Sequence, residues 1–330
     1  MIEVENLSKT YRRRRHQPQS HGRPTGLLPH RETIRALDGI SFSIATGESV
    51  GYIGLNGAGK STTIKILTGV LVPDQGNVHV NGLIPWRDHR QNALQIGAVF
   101  GQRSQLWWDL PLVESLRLIS KMYRMTPDVY RRNLAHLTDL LDLNRFMYVP
   151  VRTLSLGQRM RGELAAAMIY QPQILYLDEP TAGLDAIAKS GIRSLVRALN
   201  QQTGSTIMLA SHDLSDVERL CNRILLLSHG RILYDGSLRN FKSHHAPYRS
   251  MMVRFDSKPR LAIAGIPGVI HLRDDGNLTV FDFDPNVITP TDLLAAAGRL
   301  SKISDISFTE PRLEDIILRL HAATNPRSSN

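Results

Sequence analysis

The sequence predicts an α/β protein built around a parallel sheet and followed by a smaller α+β domain. A turn and short strand at 47–54 run through glycines into a helical segment predicted at 60–70. Two continuous apolar runs, 174–177 and 206–210, are typical of buried parallel strands. Over the last ninety residues the pattern changes to short alternating strands. We therefore predict two domains, 1–240 and 241–330.

Length and composition exclude several classes of protein. The chain has 330 residues, of which 42% are hydrophobic and 21% charged, and its mean hydropathy of -0.18 is that of a globular protein. No apolar run reaches the roughly 18 residues that a membrane-spanning helix needs. The first residues lack a secretory signal, and the single cysteine, Cys221, cannot form an intrachain disulfide. We expect a cytoplasmic location.

The charge is strongly basic and is concentrated near the N-terminus. The formal net charge is +10, which attracts polyanions such as nucleic acid, anionic lipid or nucleotide phosphates. An alternating strand begins at Ile2 and is expected to end near Tyr11. Residues 12–35 carry arginines, prolines and glycines without an apolar period, so we predict an inserted exposed loop, with structure resuming at Ala36. A solvated loop and a contact with an anionic surface both remain open.

The remaining segments place further elements. Between about 105 and 155 the apolar residues recur every three or four positions, which predicts a helical insert. In the second domain we predict strands near 250–256, 269–274 and 278–283, with a hairpin turned at Asp275 and Gly276. Helices are expected near 290–299, where Thr289 and Pro290 form a start signal, and near 312–322. This order favours a small domain of ferredoxin-like type.

Residues 54–61, GLNGAGKS, match the complete phosphate-loop pattern and lie between a predicted strand and a predicted helix. Glycines allow backbone N–H groups to point at phosphate oxygens, and the helix N-terminus adds a positive dipole. Lys60 is expected to reach the β and γ phosphates, and Ser61 to bind Mg²⁺. The alternative, a glycine-rich turn with an incidental lysine, does not explain the strand and helix on either side.

Two acids follow the apolar run at 174–177. Asp178 is expected to hold the magnesium sphere, and Glu179 to orient the attacking water. Two acids at a strand end are often a helix cap or a surface pair, so the motif is weak alone. The phosphate loop upstream is what favours the nucleotide site.

Residues 154–158, LSLGQ, precede a helix of small residues and resemble the signature sequence of the ABC-type ATPases. The other family motifs lie in the expected order along the chain: Tyr11 resembles the aromatic that stacks on adenine, Gln102 the glutamine-loop residue, residues 183–185 the loop after the acid pair, and His212 the switch histidine. The resemblance covers about residues 1–240. It implies a P-loop NTPase core of RecA-like type with an ABC-type antiparallel β subdomain and a helical subdomain.

The resemblance also implies a role for each matched residue, with ATP and Mg²⁺ as cofactors. Nucleotide contacts are expected from Tyr11, Asn56, Gly57, Ala58, Gly59, Lys60, Ser61, Thr62, Ser155, Gly157, Gln158 and Asp185. Magnesium contacts are expected from Ser61, Gln102 and Asp178, and catalytic roles for Lys60, Gln102, Glu179 and His212. Each short motif has a plainer alternative: a serine N-cap, a structural histidine or an aromatic that only packs.

The same resemblance implies partners. In the family the signature faces a nucleotide held by the other subunit, so this chain with one cassette is expected to pair with a second, a homodimer in the simplest case. The permease is then a separate membrane protein, and the chain a peripheral protein on the cytoplasmic face of the cell membrane.

Two segments bear on which branch of the family this is. The glutamine-loop stretch, 99–102, and the ending 310–315 resemble the drug and polysaccharide exporter branch, including viologen-exporter-like members. Residues 106–111, with Trp107 and Trp108, lie where the family docks its membrane partner. Leu156 departs from the pattern, which more often has glycine there.

The rival hypothesis is a nucleic-acid- or ribosome-associated ABC ATPase, which the net charge keeps open. Translation-factor relatives carry two cassettes and repair relatives carry long coiled coils, and neither is found here. No nucleic-acid partner is therefore expected.

Overall fold

The computed structural model describes residues 1–14, 31–101, 104–245, 248–257, 266–309, 313–314 and 316–317. The chain divides into two compact units, Met1–Ser237 and Leu238–Asn330. Across the described ranges, none of the helices combines the length and the apolar character needed to cross a bilayer.

The first unit alternates strands and helices. Its strands are β1 (Ile2–Arg14), β2 (Arg31–Ile44), β3 (Ser49–Ile53), β4 (Gln75–Val80), β5 (Ile96–Phe100), β6 (Ile174–Asp178), β7 (Thr206–Ala210), β8 (Arg223–Ser228) and β9 (Arg231–Ser237). Its helices are α1 (Lys60–Leu67), α2 (His89–Gln95), α3 (Leu112–Met122), α4 (Pro127–Leu140), α5 (Leu156–Met168), α6 (Ala186–Thr203) and α7 (Leu214–Leu220). A short 3-10 turn, Val151–Thr153, precedes α5.

The central sheet has the strand order β5-β6-β7-β3-β8-β9. Its first five strands are parallel and β9 runs antiparallel at the edge. Strands β6 and β7 are buried almost throughout, as their continuous apolar sequences predict. In such a sheet ligands bind at the carboxyl ends of the strands, which here lead into the phosphate loop, Glu179 and Ser211. The predicted α/β core is confirmed.

A second sheet, of order β2-β1-β4, is antiparallel. Alternate residues Ile2, Val4, Ile44, Val78 and Val80 are buried and belong to the same apolar core as the central sheet. One face of this sheet therefore covers the central sheet, and this is the antiparallel subdomain that the resemblance implies.

The predicted loop over residues 12–35 is wrong at both of its ends. Strand β1 continues past Tyr11 to Arg14, and β2 begins at Arg31 rather than Ala36, with Arg12 opposite Thr33. Antiparallel pairing satisfies the backbone groups of these residues whatever their side chains, so the missing apolar period did not mark the strand ends. The middle of the insertion lies outside the described residues.

The helical insert lies between β5 and β6. Leu112, Leu116 and Ile119 are buried along one face of α3, as their spacing predicts, whereas Met122 at the end of α3 is 67% exposed. Helix α4 begins at Pro127, and the side chain of Thr126 before it caps the helix by accepting from Val129 N. Helix α1 ends at Leu67, three residues before the predicted end, because Gly69 turns left-handed at φ 76°.

The second unit contains α8 (Leu238–His245), β10 (Arg249–Phe255), β11 (Val269–Asp275), β12 (Leu278–Phe283), α9 (Pro290–Leu300) and β13 (Ile303–Thr309). Its sheet order, β11-β12-β10-β13, is that of a ferredoxin-like sheet. Gly276 turns the predicted hairpin at φ 69°, and Thr289 caps α9 by accepting from the backbone of Asp292. The predicted helix at 312–322 lies mostly outside the described residues.

Candidate functional site

The phosphate loop leaves the buried strand β3 and enters α1 at Lys60. Gly57 and Gly59 have φ values of 81° and 115°, a region that side chains other than glycine rarely adopt. At Gly54 and Gly59 a Cβ would lie 2.3 Å from the carbonyl oxygen of Leu227 and 2.5 Å from that of Ala36. The loop therefore needs glycine at 57 and 59 for conformation, and at 54 and 59 for close backbone packing.

Lys60 folds back over this loop. Its Nζ donates to the carbonyl oxygens of Gly54 at 2.6 Å and Leu55 at 3.3 Å, inside the turn that phosphates would enter. Burial lowers the pKa of the Lys60 ammonium, and the nearby charges of Glu179 and Asp178 oppose that shift. The ammonium is thus already oriented toward the centre of the loop.

Ser61 and Asp178 meet at the carboxyl end of β6. Ser61 Oγ donates to Asp178 Oδ2 at 3.3 Å. Burial raises the pKa of Asp178, and the neighbouring Glu179 carboxylate raises it further. A hydroxyl and a carboxylate are oxygen ligands of the kind Mg²⁺ prefers, and a bound cation would relieve the unfavourable burial of Asp178. The two residues fit a magnesium ion whose remaining ligands come from phosphate and water.

Glu179 is held in a fixed position next to Asp178. Its φ of 57° is unusual for a residue other than glycine, and its N–H donates to the carbonyl oxygen of Ala210 at 2.9 Å. The backbone N–H of His212 donates to Glu179 Oε1 at 2.9 Å, and His212 Nδ1 lies 2.7 Å from Oε2. The structure therefore brings the predicted acid and the predicted switch histidine into direct contact.

The predicted adenine-stacking residue lies beside the phosphate loop. Tyr11 in β1 is partly exposed, and its hydroxyl is 3.4 Å from Oγ1 of Thr62 in α1. Asn56 and Gly57 are exposed at the tip of the loop, while Ala58 is buried beneath it. An accessible aromatic face at this place suits a base whose phosphates occupy the loop.

The signature residues form a second group. Ser155 caps α5: its Oγ accepts from Gln158 N at 3.2 Å, and its N–H donates to Gln158 Oε1 at 2.9 Å. A Cβ at Gly157 would lie 3.5 Å from that of Ala188, near the start of α6, which Asp185 caps. Ser155 is therefore the N-cap of α5, as the plainer interpretation predicted. A cap of this kind does not exclude an anion from the helix N-terminus.

Leu156 departs from the family pattern without blocking this group. Its side chain lies partly exposed against Gly183, where a Cβ would be 3.2 Å from Leu156 Cδ2. The larger side chain therefore packs on the loop before Asp185.

Gln102 lies outside the described residues, but its neighbours are anchored. The N–H of Gly101 donates to the carbonyl oxygen of Asp178 at 2.8 Å. On the other side, Glu163 of α5 accepts from Ser104 Oγ and, at 3.0 Å, from Gln105 N. Burial raises the pKa of Glu163. Glu163 was not predicted, because its only signal in the sequence is that it is an acid among the small residues of α5.

Comparison with known proteins agrees with this geometry. Residues 37–182 match the model of the ABC transporter family. The linearmycin resistance ATP-binding protein LnrL of Bacillus subtilis is 28% identical across 98% of this chain and 99% of its own length. The Nod factor export ATP-binding protein I of Ralstonia nicotianae is 31% identical across 86% and 88%, and that of a Rhizobium species 33% identical across 86% and 91%.

Solved structures give the same assignment. An ATP-binding subunit of an ABC transporter aligns with a TM-score of 0.60 and 28% identity over 74% of this chain and 92% of that one. A dimeric ATP-binding cassette in a post-hydrolysis state with ADP and phosphate aligns with a TM-score of 0.60 and 27% identity over 72% and 99%. The chain therefore belongs to the ATP-binding proteins of ABC transporters and is an ATPase whose cofactors are ATP and Mg²⁺.

Proposed function

We propose that two copies of this chain pair head to tail around two Mg-ATP molecules and drive a separate membrane permease. The observation that carries this proposal is the division of the expected nucleotide contacts into two groups. Lys60, Ser61, Asp178, Glu179 and His212 converge at the strand ends. The helix N-terminus at Ser155, the other group, is then supplied to that site by the partner chain.

Within one site the proposed roles follow from chemistry. Lys60 and the loop N–H groups bind the β and γ phosphates, and Ser61 with Asp178 holds Mg²⁺, which neutralises phosphate charge. Glu179 orients the attacking water, and His212 donates to the γ phosphate. Gln102 is assigned to both the ion and the water.

The remaining contacts lie at the edges of the site. Tyr11 stacks on adenine, and Asn56, Gly57, Ala58, Gly59 and Thr62 surround the phosphates. From the partner come Ser155, Gly157, Gln158 and Asp185. Ser155 and Gly157 at the N-terminus of α5 add a positive dipole and N–H donors to the γ phosphate.

We infer that the transporter is an exporter. Relatives that align over most of their length are named for export of Nod factor and for resistance to linearmycin. A methionine import protein of Latilactobacillus sakei is also 32% identical, but the alignment covers 65% of its length. Full-length similarity to export proteins is what favours this direction.

The proposed permease contact is the exposed pair Trp107 and Trp108. These side chains are 38% and 51% exposed, and the guanidinium of Arg159 lies 5.7 Å from the centre of the Trp108 ring. Flat aromatic side chains of this kind are typical anchors of protein interfaces. With this contact, the chain would lie on the cytoplasmic face of the membrane.

Co-purification tests this function. A tagged chain isolated from detergent-solubilised membranes should carry a multi-spanning membrane protein, and changing Trp107 and Trp108 to alanine should reduce its yield. ATP hydrolysis by the isolated chain should be unchanged. Leu233→Ala, at an exposed apolar residue of β9, is the matched control. Retention on ribosomes or DNA instead would favour the nucleic-acid-associated alternative.

A further inference from the structure

A buried charged network connects the segments that carry Glu179 and His212. Its centre is Asp216, which is in the first turn of α7 and is 0% exposed. Asp216 Oδ2 accepts from the hydroxyl of Thr181, which is itself buried. Asp216 Oδ1 accepts from Arg193 Nε of α6 at 2.5 Å. Both carboxylate oxygens are therefore bound, each to a different part of the chain.

Arg193 extends the network along α7. One of its terminal nitrogens donates to Ser215 Oγ at 2.7 Å and lies 3.6 Å from Asp213 Oδ2. Lys189, one turn earlier in α6, bonds Asp213 at 2.6 Å. Asp213 caps α7 and directly follows His212. Helix α6 thus fixes the start of α7 through two cationic side chains.

The positions of these residues in the chain are informative. Thr181 is two residues after Glu179, and the loop between them closes with a bond from Ala182 N to the carbonyl oxygen of Glu179 at 3.2 Å. Asp216 is four residues after His212. The Thr181–Asp216 bond therefore joins the loop that bears the acid to the helix that follows the histidine.

Stability alone does not explain a charge at this place. Taking a carboxylate and a guanidinium out of water carries a large desolvation cost, and apolar residues of similar volume often serve a fold as well or better. What a fully bonded charged network adds is a fixed geometry. The geometry fixed here is the 2.7 Å contact between His212 and Glu179.

We propose that Asp216 is a positioning residue for catalysis, which holds Thr181 and Arg193 so that Glu179 and His212 stay in register. This inference rests on the proposed roles of Glu179 and His212. Asp216 touches no reacting atom. It acts through the two segments that it joins, while the phosphate loop that binds nucleotide is outside the network.

Thr181→Val tests this inference because valine keeps the shape of threonine and removes the hydroxyl. Small displacements of catalytic groups are costly, so kcat for ATP should fall by about tenfold or more while KM changes less than about twofold. Thr181→Ser restores the hydroxyl and should bring kcat back to near the parent value. Ser194→Ala, at an exposed hydroxyl of α6 outside the network, is the control and should leave kcat unchanged.

A double variant separates positioning from general damage. In a His212→Ala background, Thr181→Val should cause a smaller further loss than in the parent, because the side-chain contact between His212 and Glu179 is already gone and only the backbone bond to Glu179 remains to be held in place. Additive losses, or a Thr181→Val chain with parental kcat, would overturn the inference. So would a rise in KM that Thr181→Ser does not reverse.

Asp216→Asn is a second test, because asparagine keeps nearly the same side-chain volume and removes the charge. It should reproduce the loss of kcat, with ATP binding retained in equilibrium titration; retained kcat would contradict the inference. Glu179→Gln identifies which proposal fails. If Glu179→Gln keeps its turnover, the proposed function is wrong at that residue; if it loses turnover while Thr181→Val and Asp216→Asn do not, only the positioning role is wrong.

Discussion

His212 meets both carboxylate oxygens of Glu179: its backbone N–H donates to Oε1 at 2.9 Å, and its ring Nδ1 lies 2.7 Å from Oε2. The backbone bond survives any substitution of the histidine side chain, so Glu179 retains one anchor in a His212→Ala chain. In a Glu179→Gln chain, by contrast, nothing replaces the lost carboxylate charge. The two residues are therefore expected to differ in how completely their substitution stops turnover.

The first prediction separates chemistry from binding. Glu179→Gln should retain ATP binding and lose at least about a hundredfold in kcat, since a neutral amide cannot accept a proton from the attacking water. With ATP present, the variant should accumulate as a dimer. Lys60→Ala should instead weaken binding itself, because its ammonium lies inside the phosphate loop.

Equilibrium titration with a fluorescent ATP analogue, steady-state hydrolysis and light scattering measure these three quantities. His212→Ala is the intermediate case, with a smaller loss of kcat. Near-normal hydrolysis by Glu179→Gln protein would remove the role assigned to this carboxylate.

The second prediction concerns the shared site. A Ser155→Arg chain should fail because the new side chain fills the N-terminus of α5, which we propose faces the phosphate of the partner's nucleotide, and a Lys60→Ala chain should fail for lack of the loop cation. Mixed in equal amounts, the two chains should form heterodimers with one intact site each and regain part of the activity.

Subunit exchange is verified with two different tags. Each variant alone is the control for residual activity. If tagged heterodimers form and are no more active than their parents, the site is built within one chain.

Features set by neighbouring residues could be predicted from the sequence, whereas contacts between residues far apart in the chain could not. The phosphate loop, the acids after β6 and the cap at Ser155 are local patterns, so their residues and elements could be identified directly. The Thr181–Asp216–Arg193 network and the contact of Glu163 with Gln105 join residues that are distant in sequence. No periodicity marks such pairs. The extension of β1 to Arg14 was missed for the same reason, because a partner strand creates it.

Two glycines should respond in opposite directions to the same substitution. Gly54→Ala places a Cβ 2.3 Å from the carbonyl oxygen of Leu227, so β8 or the loop must shift, at a cost of about 1–3 kcal/mol in the free energy of unfolding. ATP affinity should fall with it. Gly191→Ala, in α6 with nothing within 4 Å, should stabilise the chain by up to about 1 kcal/mol. Urea unfolding and ATP titration check both; equal effects would contradict the packing argument.

Asp213 gives a pH-dependent prediction. Burial raises the pKa of its carboxyl, but hydrogen bonds from Lys189 and Ser215 and the charges of Lys189 and Arg193 outweigh this and lower the pKa to about 2. The lowered pKa of Asp213 stabilises the folded state above about pH 4, the unfolded-state pKa. This stabilisation is lost as pH falls through the folded-state pKa. Asp213→Asn should therefore cost about 2 kcal/mol between pH 5.5 and 8.

That cost should shrink as pH falls from about 4 through about 2, because only below the folded-state pKa do both chains carry a neutral group at this position. Urea unfolding curves across this range measure it. Asp139→Asn, at an exposed acid of α4, should show no comparable effect. A difference between Asp213→Asn and its parent that is independent of pH would exclude the charge as the cause.

The arginine run at 12–15 can contact an anionic surface or be simply solvated, and salt separates the two cases. Arg12 is exposed and β1 carries this part of the run out to Arg14, whereas Arg15 lies outside the described residues. Near an anionic leaflet each arginine contributes about 1 kcal/mol, and the effect decays within a Debye length of about 8 Å at physiological salt. Changing all four to serine should weaken binding to vesicles that contain phosphatidylserine and should flatten its salt dependence.

ATP hydrolysis by the isolated chain should not change, because none of the four arginines is among the residues assigned to the nucleotide site. Serine at Arg131 and Arg132, both exposed on α4, is the matched control for lost positive charge elsewhere on the surface. Sedimentation with vesicles at low and high salt measures both variants. Charge that lies close to anionic lipid cannot be removed without weakening binding. If the 12–15 variant and its parent bind vesicles equally at low salt, the run therefore makes no lipid contact and is only a solvated extension of the hairpin.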